Sequence, residues 1–91
     1  MKYSVGVPAE LNRQLLDHLI RKDGQEDAAF SLWMPSLGVC RYTALLNEFI
    51  HPLPQERSVR GNVTVSQEYF LRASNLTLNR NAGLVLMHSH V

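Results

Sequence analysis

The segment Ala28–Met34 restricts the fold more than any other part of the chain. Successive side chains of a β-strand point to opposite faces of the sheet. Both faces of this segment are largely apolar, since one carries Phe30, Leu32 and Met34 and the other carries Ala29, Ser31 and Trp33. A strand that is apolar on both sides is typical of a sheet that is covered on both sides. The sequence therefore predicts an interior strand rather than an edge strand.

The order of the other elements predicts an α/β domain of the α+β type. Leucines and an isoleucine at helical spacing follow Pro8 and predict a helix that ends at Gly24. The remaining predicted elements are strands at 39–50 and 59–65, a helix with Ser66 as its N-cap, and a strand from Gly83. Turns at 35–38 and 79–83 and a loop at 51–56 separate them, and a helix stays open as the alternative for 39–50. We expect one mixed, curved β-sheet packed with two helices.

Composition and charge restrict the class of function. The chain has 91 residues, of which 45% are hydrophobic and 19% charged, and these values are typical of one globular domain. The formal net charge of +1 provides no electrostatic basis for binding nucleic acid or an anionic membrane. No apolar run approaches the ~18 residues of a transmembrane helix. Cys40 is the only cysteine, so we expect no internal disulfide and a reducing, cytoplasmic location.

The final strand candidate ends in two histidines, His88 and His90, which are separated by Ser89. In a strand these histidines point the same way, with Cβ atoms roughly 6.5–7 Å apart. Two imidazoles at that spacing can bind one metal ion, with Zn–N bonds of about 2.0–2.1 Å. Ser89 points to the opposite face and is interpreted as a spacer. The alternative is a pair of surface histidines without a ligand.

A hydrolytic metal site also needs a base to handle water. The carboxylates considered for that role are Glu26, Asp27, Glu48, Glu56 and Glu68. Glu26 directly precedes the buried strand, where a carboxylate is costly unless it is paired or solvated in a cleft. A solvated loop carboxylate is the alternative interpretation of Glu26. His51, beside Pro52, is interpreted as a loop histidine rather than a third ligand.

Two segments of the chain resemble the JAMM (MPN, or Mov34/PAD-1) metallopeptidase family, most closely its prokaryotic branch found near ubiquitin-like conjugation genes. Glu26-Asp27-Ala28-Ala29-Phe30-Ser31-Leu32 is similar to the family's glutamate and the core strand that follows it. Gly83-Leu84-Val85-Leu86-Met87-His88-Ser89-His90 is similar to the family's apolar strand that ends in H-S-H. The order of a helix, a long strand, a proline-containing loop and a second helix between these parts is similar as well.

The resemblance implies a fold, a cofactor and roles for three residues. It implies an incomplete MPN/JAMM-like (cytidine deaminase-like) fold, with Zn²⁺ held by His88 and His90. Glu26 would be the catalytic general acid/base that accepts a proton from water. The implied activity is isopeptidase cleavage of ubiquitin-like conjugates, and the implied partners are ubiquitin-like proteins and E1-like enzymes.

The family pattern continues after H-S-H with a proline and, further on, a serine and an aspartate. That aspartate is the third zinc ligand and the serine stabilises the oxyanion, whereas this chain has only Val91 after His90. We therefore expect residues 1–91 to be a single partial domain, the N-terminal part of such an enzyme, inert by itself. An exposed C-terminal strand would favour a homo-oligomer. A non-catalytic MPN-like interaction module and an unrelated small α/β binding domain are the alternatives.

Overall fold

Six strands and two helices make up the fold in the computed structural model, which describes residues 1–60 and 62–90. In chain order they are β1 (Lys2–Gly6), α1 (Ala9–Leu19), β2 (Ala28–Gly38), β3 (Arg41–Ile50), β4 (Arg57–Ser58), β5 (Thr64–Val65), α2 (Gln67–Arg80) and β6 (Gly83–His88). Four strands form one sheet in the order β1-β3-β2-β6, and β4 pairs with β5 separately. The sheet is mixed, because β1 runs parallel to β3 while β2 is antiparallel to both of its neighbours. The predicted α+β architecture is therefore confirmed.

The predicted interior strand is β2, which lies between β3 and β6 and is covered on both faces. On one face the buried residues are Phe30, Leu32 and Ile50 from the sheet with Tyr69 and Ala73 from α2. On the other face Leu11 and Leu15 of α1 pack with Leu46, and Trp33, Phe49, Val85 and Met87 border them. The apolar pattern of β2 thus has a direct physical cause, since each face of the strand contacts a different helix.

The predicted turn at 35–38 is wrong, because β2 continues through Pro35 to Gly38 and the chain reverses at Val39 and Cys40. Proline cannot donate a backbone hydrogen bond and is confined to places where one side of the strand is unpaired. Pro35 meets that condition, because the pairing of β2 with β6 reaches only as far as Trp33. Cys40 lies exposed in the turn, with a positive φ of 57°, rather than in a strand.

β1 precedes α1 and was not predicted, so the expected order that starts with a helix is incomplete. Its residues are exposed apart from the half-buried Gly6, so the strand adds little to the core. Its sequence does alternate polar and apolar residues, with Tyr3 and Val5 on one face, and this pattern by itself predicts a strand. The strand exists because it pairs in register with β3, with Lys2 opposite Arg41. The Ser4 and Thr43 hydroxyls, 2.7 Å apart, also bond across this pair.

A β-bulge at Asn47 changes which face Glu48 occupies. Leu32 lies opposite Glu48, whereas the next residue, Trp33, lies opposite Leu46. Simple alternation places Glu48 on the face of Leu46, and this expectation is wrong because the extra residue reverses the alternation. Leu46 is buried beneath α1, while Glu48 pairs with Arg80 of α2 at 3.0 Å.

Both helices exist as predicted, but α1 is shorter than expected. It ends at Leu19 instead of Gly24, because Arg21 turns away to bind Asp23 and Asp27. α2 begins as predicted, with the Ser66 hydroxyl accepting a hydrogen bond from the Tyr69 N–H at 3.1 Å. In the part of the chain that the structure describes, no helix has both the length and the apolar character needed to cross a membrane.

The predicted third strand at 59–65 is replaced by β4 and β5, which pair with each other. Arg57 lies opposite Val65, and Ser58 lies opposite Thr64. β4 and β5 run antiparallel to each other, so a single continuous strand is ruled out. Gly61 lies outside the described residues.

The Tyr69 hydroxyl bridges the backbones of the two central strands, β2 and β3. The hydroxyl accepts a hydrogen bond from the Phe30 N–H at 2.9 Å and donates one to the Ile50 carbonyl. Phe30 and Ile50 are register partners, so the phenol oxygen is inserted between backbone groups of adjacent strands. The Phe30 and Tyr69 rings also contact edge to face, with centroids 4.8 Å apart.

We predict that Tyr69→Phe lowers the free energy of unfolding by about 1–3 kcal/mol, because it leaves two buried backbone groups without a partner. Urea denaturation followed by circular dichroism measures this change. The control is Tyr3→Phe, which removes the same hydroxyl from a side chain that is 79% exposed. Equal stability of Tyr69→Phe and the wild type would show that the bridge contributes nothing.

Gly83 begins β6 directly beneath the ring of Trp33. A Cβ atom at Gly83 would lie 2.2 Å from the Trp33 Cε2 and Nε1 atoms, so the indole would have to move. We predict that Gly83→Ala destabilises the fold by about 1–3 kcal/mol through overpacking and changes the fluorescence of this single tryptophan. Gly38→Ala is the control, because its Cβ would meet only the Arg41 Cβ at 3.9 Å. An unchanged emission spectrum in Gly83→Ala would contradict the prediction.

Candidate functional site

Glu26, His88 and His90 line one pocket of about 280 Å³, although Glu26 is far from the histidines in the sequence. The antiparallel register of β2 and β6 explains this placement, because Ala28 lies opposite His88. The hydrogen bond from the Ser89 N–H to the Asp27 carbonyl, at 3.0 Å, extends this pairing by one residue. Glu26 and His90 are the next residues along the two segments.

The two imidazoles share a face at the end of β6. Their ring centroids are 4.5 Å apart and the rings meet edge to face. Glu26 Oε1 lies 3.9 Å from His90 Nδ1, and the two side chains are 29% and 80% exposed. This separation is longer than a hydrogen bond, so the carboxylate and the imidazole are neighbours across the mouth of the pocket.

The pocket has an apolar wall and a polar mouth. Ala28, Val63, Val65 and Leu86 line it together with the polar side chain of Asn62 and the three titratable residues. The half-buried Glu26 carboxylate therefore faces both apolar side chains and solvent.

The donor set at this pocket suits zinc in type but not in number. Two imidazoles at this separation are close enough to reach one ion with Zn–N bonds of about 2.0–2.1 Å. Within residues 1–60 and 62–90, no group of three or more His, Cys, Asp or Glu side chains could hold a metal ion. His51 lines a different cleft. Val91 lies outside the described residues.

Asp27, next to Glu26, is a fully buried carboxylate whose importance the sequence reasoning missed. Its oxygens accept hydrogen bonds from Arg57 at 2.9 and 3.1 Å, from Arg21 at 3.0 Å and from the Ala28 N–H at 2.8 Å. His18 Nε2 lies 3.4 Å from Asp27 Oδ1 and bonds to the Ala28 carbonyl at 2.9 Å. The only sequence signal was an acidic residue before a strand that is apolar on both faces.

The environment of Asp27 keeps its carboxylate charged. Burial by itself raises its pKa, but the hydrogen bonds from Arg57, the Ala28 N–H and Arg21 outweigh that effect, and the pKa falls below its usual value. Asp27 faces the α1 side of the sheet, where it lines a cleft of about 1100 Å³ with His18 and His51. Burial, His18 and Arg57 together lower the pKa of His51.

Ser89 connects the histidine pair to Asp27. Its hydroxyl accepts a hydrogen bond from the Asp27 N–H at 3.0 Å, in addition to the backbone bond in the opposite direction. Sequence reasoning treated Ser89 as a spacer, because the residue that lies opposite it cannot be identified without the register of β2 and β6.

Comparisons of this chain with protein-family models, with curated proteins and with solved structures found no match. The placement of Glu26, His88 and His90 in one pocket is therefore the observation that bears on function. Asp27 and Ser89 form a second layer behind that pocket, on the opposite face of the sheet.

We predict that Asp27→Asn lowers the free energy of unfolding by about 3 kcal/mol. This is the lower end of the cost of breaking a buried ion pair, because Arg21 and Arg57 remain partly exposed. Urea denaturation at pH 7 measures the change. Asp23→Asn is the control, since it removes an exposed carboxylate that also binds Arg21, and a much smaller loss is expected there.

Asp27→Asn should also change how the free energy of unfolding depends on pH in the acid range. Because the pKa of Asp27 is lowered on folding, its stabilisation is complete above the unfolded value of about 3.9 and is lost as the pH falls through the folded value. The wild type should therefore lose stability below about pH 4 more steeply than Asp27→Asn. Glu56, whose pKa Arg72 lowers, should give both proteins a shared remaining dependence. Identical pH profiles would contradict this assignment.

Proposed function

We propose that this chain carries the acid/base glutamate and two zinc ligands of a JAMM-type metallopeptidase that acts on ubiquitin-like conjugates. The observation that supports the proposal is the convergence of Glu26, His88 and His90 on one pocket. Glu26 precedes the core strand β2, and His88 ends the apolar strand β6 with His90 two residues on, which is the order that the resemblance to the family implies. The β2–β6 pairing supplies a physical reason for that arrangement.

His88 and His90 would hold the zinc ion through ring nitrogens, and Glu26 would handle protons. A bound zinc ion supplies Lewis-acid activation of water near neutral pH. Glu26, as a carboxylate, would accept a proton from the attacking water at one of its oxygens and later donate it to the departing amine. Leu86, Val63 and Val65 line the same pocket as that carboxylate.

The 91 residues supply only part of what the family uses. Among residues 1–60 and 62–90 no third His, Cys, Asp or Glu side chain joins His88 and His90 in a group that could hold a metal ion. Catalytic zinc sites commonly use three protein ligands, so two imidazoles should bind zinc more weakly than a complete site. We therefore expect these 91 residues to bind zinc without hydrolysing an isopeptide bond.

Zinc titration by calorimetry, with Co²⁺ absorption as a spectroscopic check, tests this proposal. We expect one ion per chain in the wild type, at least a tenfold loss of affinity in His88→Ala, and little change in Glu26→Gln, because the acid/base is not a ligand. His51→Ala is the matched control, since this histidine lines the other cleft and its loss should leave the affinity unchanged. Binding that does not depend on His88, or isopeptide hydrolysis by this chain alone, would contradict the proposal.

A non-catalytic MPN-like interaction module is the second candidate. It is favoured by exposed apolar side chains on β1 and around the β2–β3 turn, where Tyr3, Val5, Leu37 and Val39 are 79, 68, 75 and 96% exposed. Exposed apolar groups of this kind are typical of surfaces that contact another protein. The same titration separates the two candidates, because the interaction module requires no histidine-dependent zinc binding.

A further inference from the structure

Ser89 makes a two-point contact with the backbone of Asp27 at the end of β6. The Ser89 N–H donates to the Asp27 carbonyl at 3.0 Å, and the Asp27 N–H donates to the Ser89 hydroxyl at 3.0 Å. In a regular antiparallel pair the second bond would go to a backbone carbonyl. Here a side-chain oxygen accepts it, so the pairing is kept where the strand itself ends at His88.

The backbone at Asp27 is a fixed point, because the Asp27 side chain is locked. Asp27 has no solvent exposure, and Arg57, Arg21 and the Ala28 N–H hold its carboxylate. Moving this backbone would require breaking a buried ion pair. A group that forms a hydrogen bond to the Asp27 backbone is therefore held in a defined position.

Glu26 and the histidine pair, the two parts of the candidate site, are both connected to the Asp27 backbone. Glu26 precedes Asp27 in the chain, and Ser89 lies between His88 and His90. Because side chains alternate, Ser89 reaches Asp27 while its two neighbours face the pocket that contains Glu26. The serine contact thus lies next to both Glu26 and the two imidazoles.

We propose that Ser89 is a positioning residue, whose hydroxyl bond to the Asp27 N–H sets the geometry between the histidine pair and Glu26. The inference rests on the proposed function for its zinc ligands, but the contact itself can be measured without metal. Residues that orient metal ligands through hydrogen bonds typically change metal affinity about 10–100-fold when they are removed. Ser89 would do so by placing the backbone that carries both ligands.

The test compares Ser89→Thr with Ser89→Val, two side chains of nearly the same shape that differ in the hydroxyl. We expect Ser89→Thr to bind zinc within about threefold of the wild-type affinity. We expect Ser89→Val to bind zinc at least about tenfold more weakly than the wild type. Ser31→Ala is the stability control, because the Ser31 hydroxyl also makes a buried bond, to the Glu48 carbonyl at 2.7 Å, away from the histidines. Ser31→Ala should therefore destabilise the fold while leaving zinc affinity unchanged.

A second measurement uses the metal-free chain. Amide hydrogen exchange followed by NMR should show a protected Asp27 N–H in the wild type and in Ser89→Thr, with protection lost in Ser89→Val. The nuclear Overhauser contacts between Glu26 and the His90 ring should weaken in Ser89→Val as well.

These two measurements separate the failure of each proposal. If the wild type shows no histidine-dependent zinc binding, the proposed function fails, and the amide exchange still decides the positioning role. If zinc binds through His88 but Ser89→Val matches Ser89→Thr in affinity and in Asp27 protection, the positioning role is overturned and the proposed function stands. A loss of affinity in Ser31→Ala equal to that in Ser89→Val would also overturn it, because general destabilisation would then explain the effect.

Discussion

The buried carboxylate of Asp27 is the interaction on which the arrangement of this chain depends. Taking a charge out of water costs several kcal/mol, and the cost is offset only where donors surround the charge. The hydrogen-bond donors to Asp27 include Arg21, six residues earlier in the chain, and Arg57 in β4, thirty residues later, so both segments must approach the start of β2. The Asp27 backbone also bonds to Ser89 at the end of β6. Asp27 thus connects four parts of the chain.

Glu26 and Asp27 are adjacent acids in opposite environments, and the alternation of side chains along the chain is the reason. Asp27 faces α1, where arginines hold it charged, while Glu26 faces a pocket with an apolar wall. A carboxylate locked by two guanidinium groups is poorly suited to exchange protons. Glu26 is partly exposed and lies beside an imidazole, so it suits that role better. The structural carboxylate and the carboxylate proposed for chemistry are therefore adjacent residues.

Elements with a strong local signal could be predicted from the sequence. The doubly apolar pattern of Ala28–Met34 predicts an interior strand, and Ser66 predicts the start of α2 through its hydroxyl. Two other features of the sheet were not predicted. β1 has exposed residues and depends on pairing with β3, and the bulge at Asn47 shifts Glu48 to the other face through a register that only the folded sheet defines.

The sequence by itself determined the identities of the candidate site residues, Glu26, His88 and His90, because a carboxylate before a core strand and two histidines two residues apart are local patterns. The tertiary structure decided that these residues meet, through the antiparallel register that places Ala28 opposite His88. It also decided the roles of Asp27 and Ser89, since a hydrogen bond between residues 62 positions apart is not encoded in either neighbourhood. The physical reason is that side-chain chemistry is local, whereas strand pairing and the burial of charge depend on the whole fold.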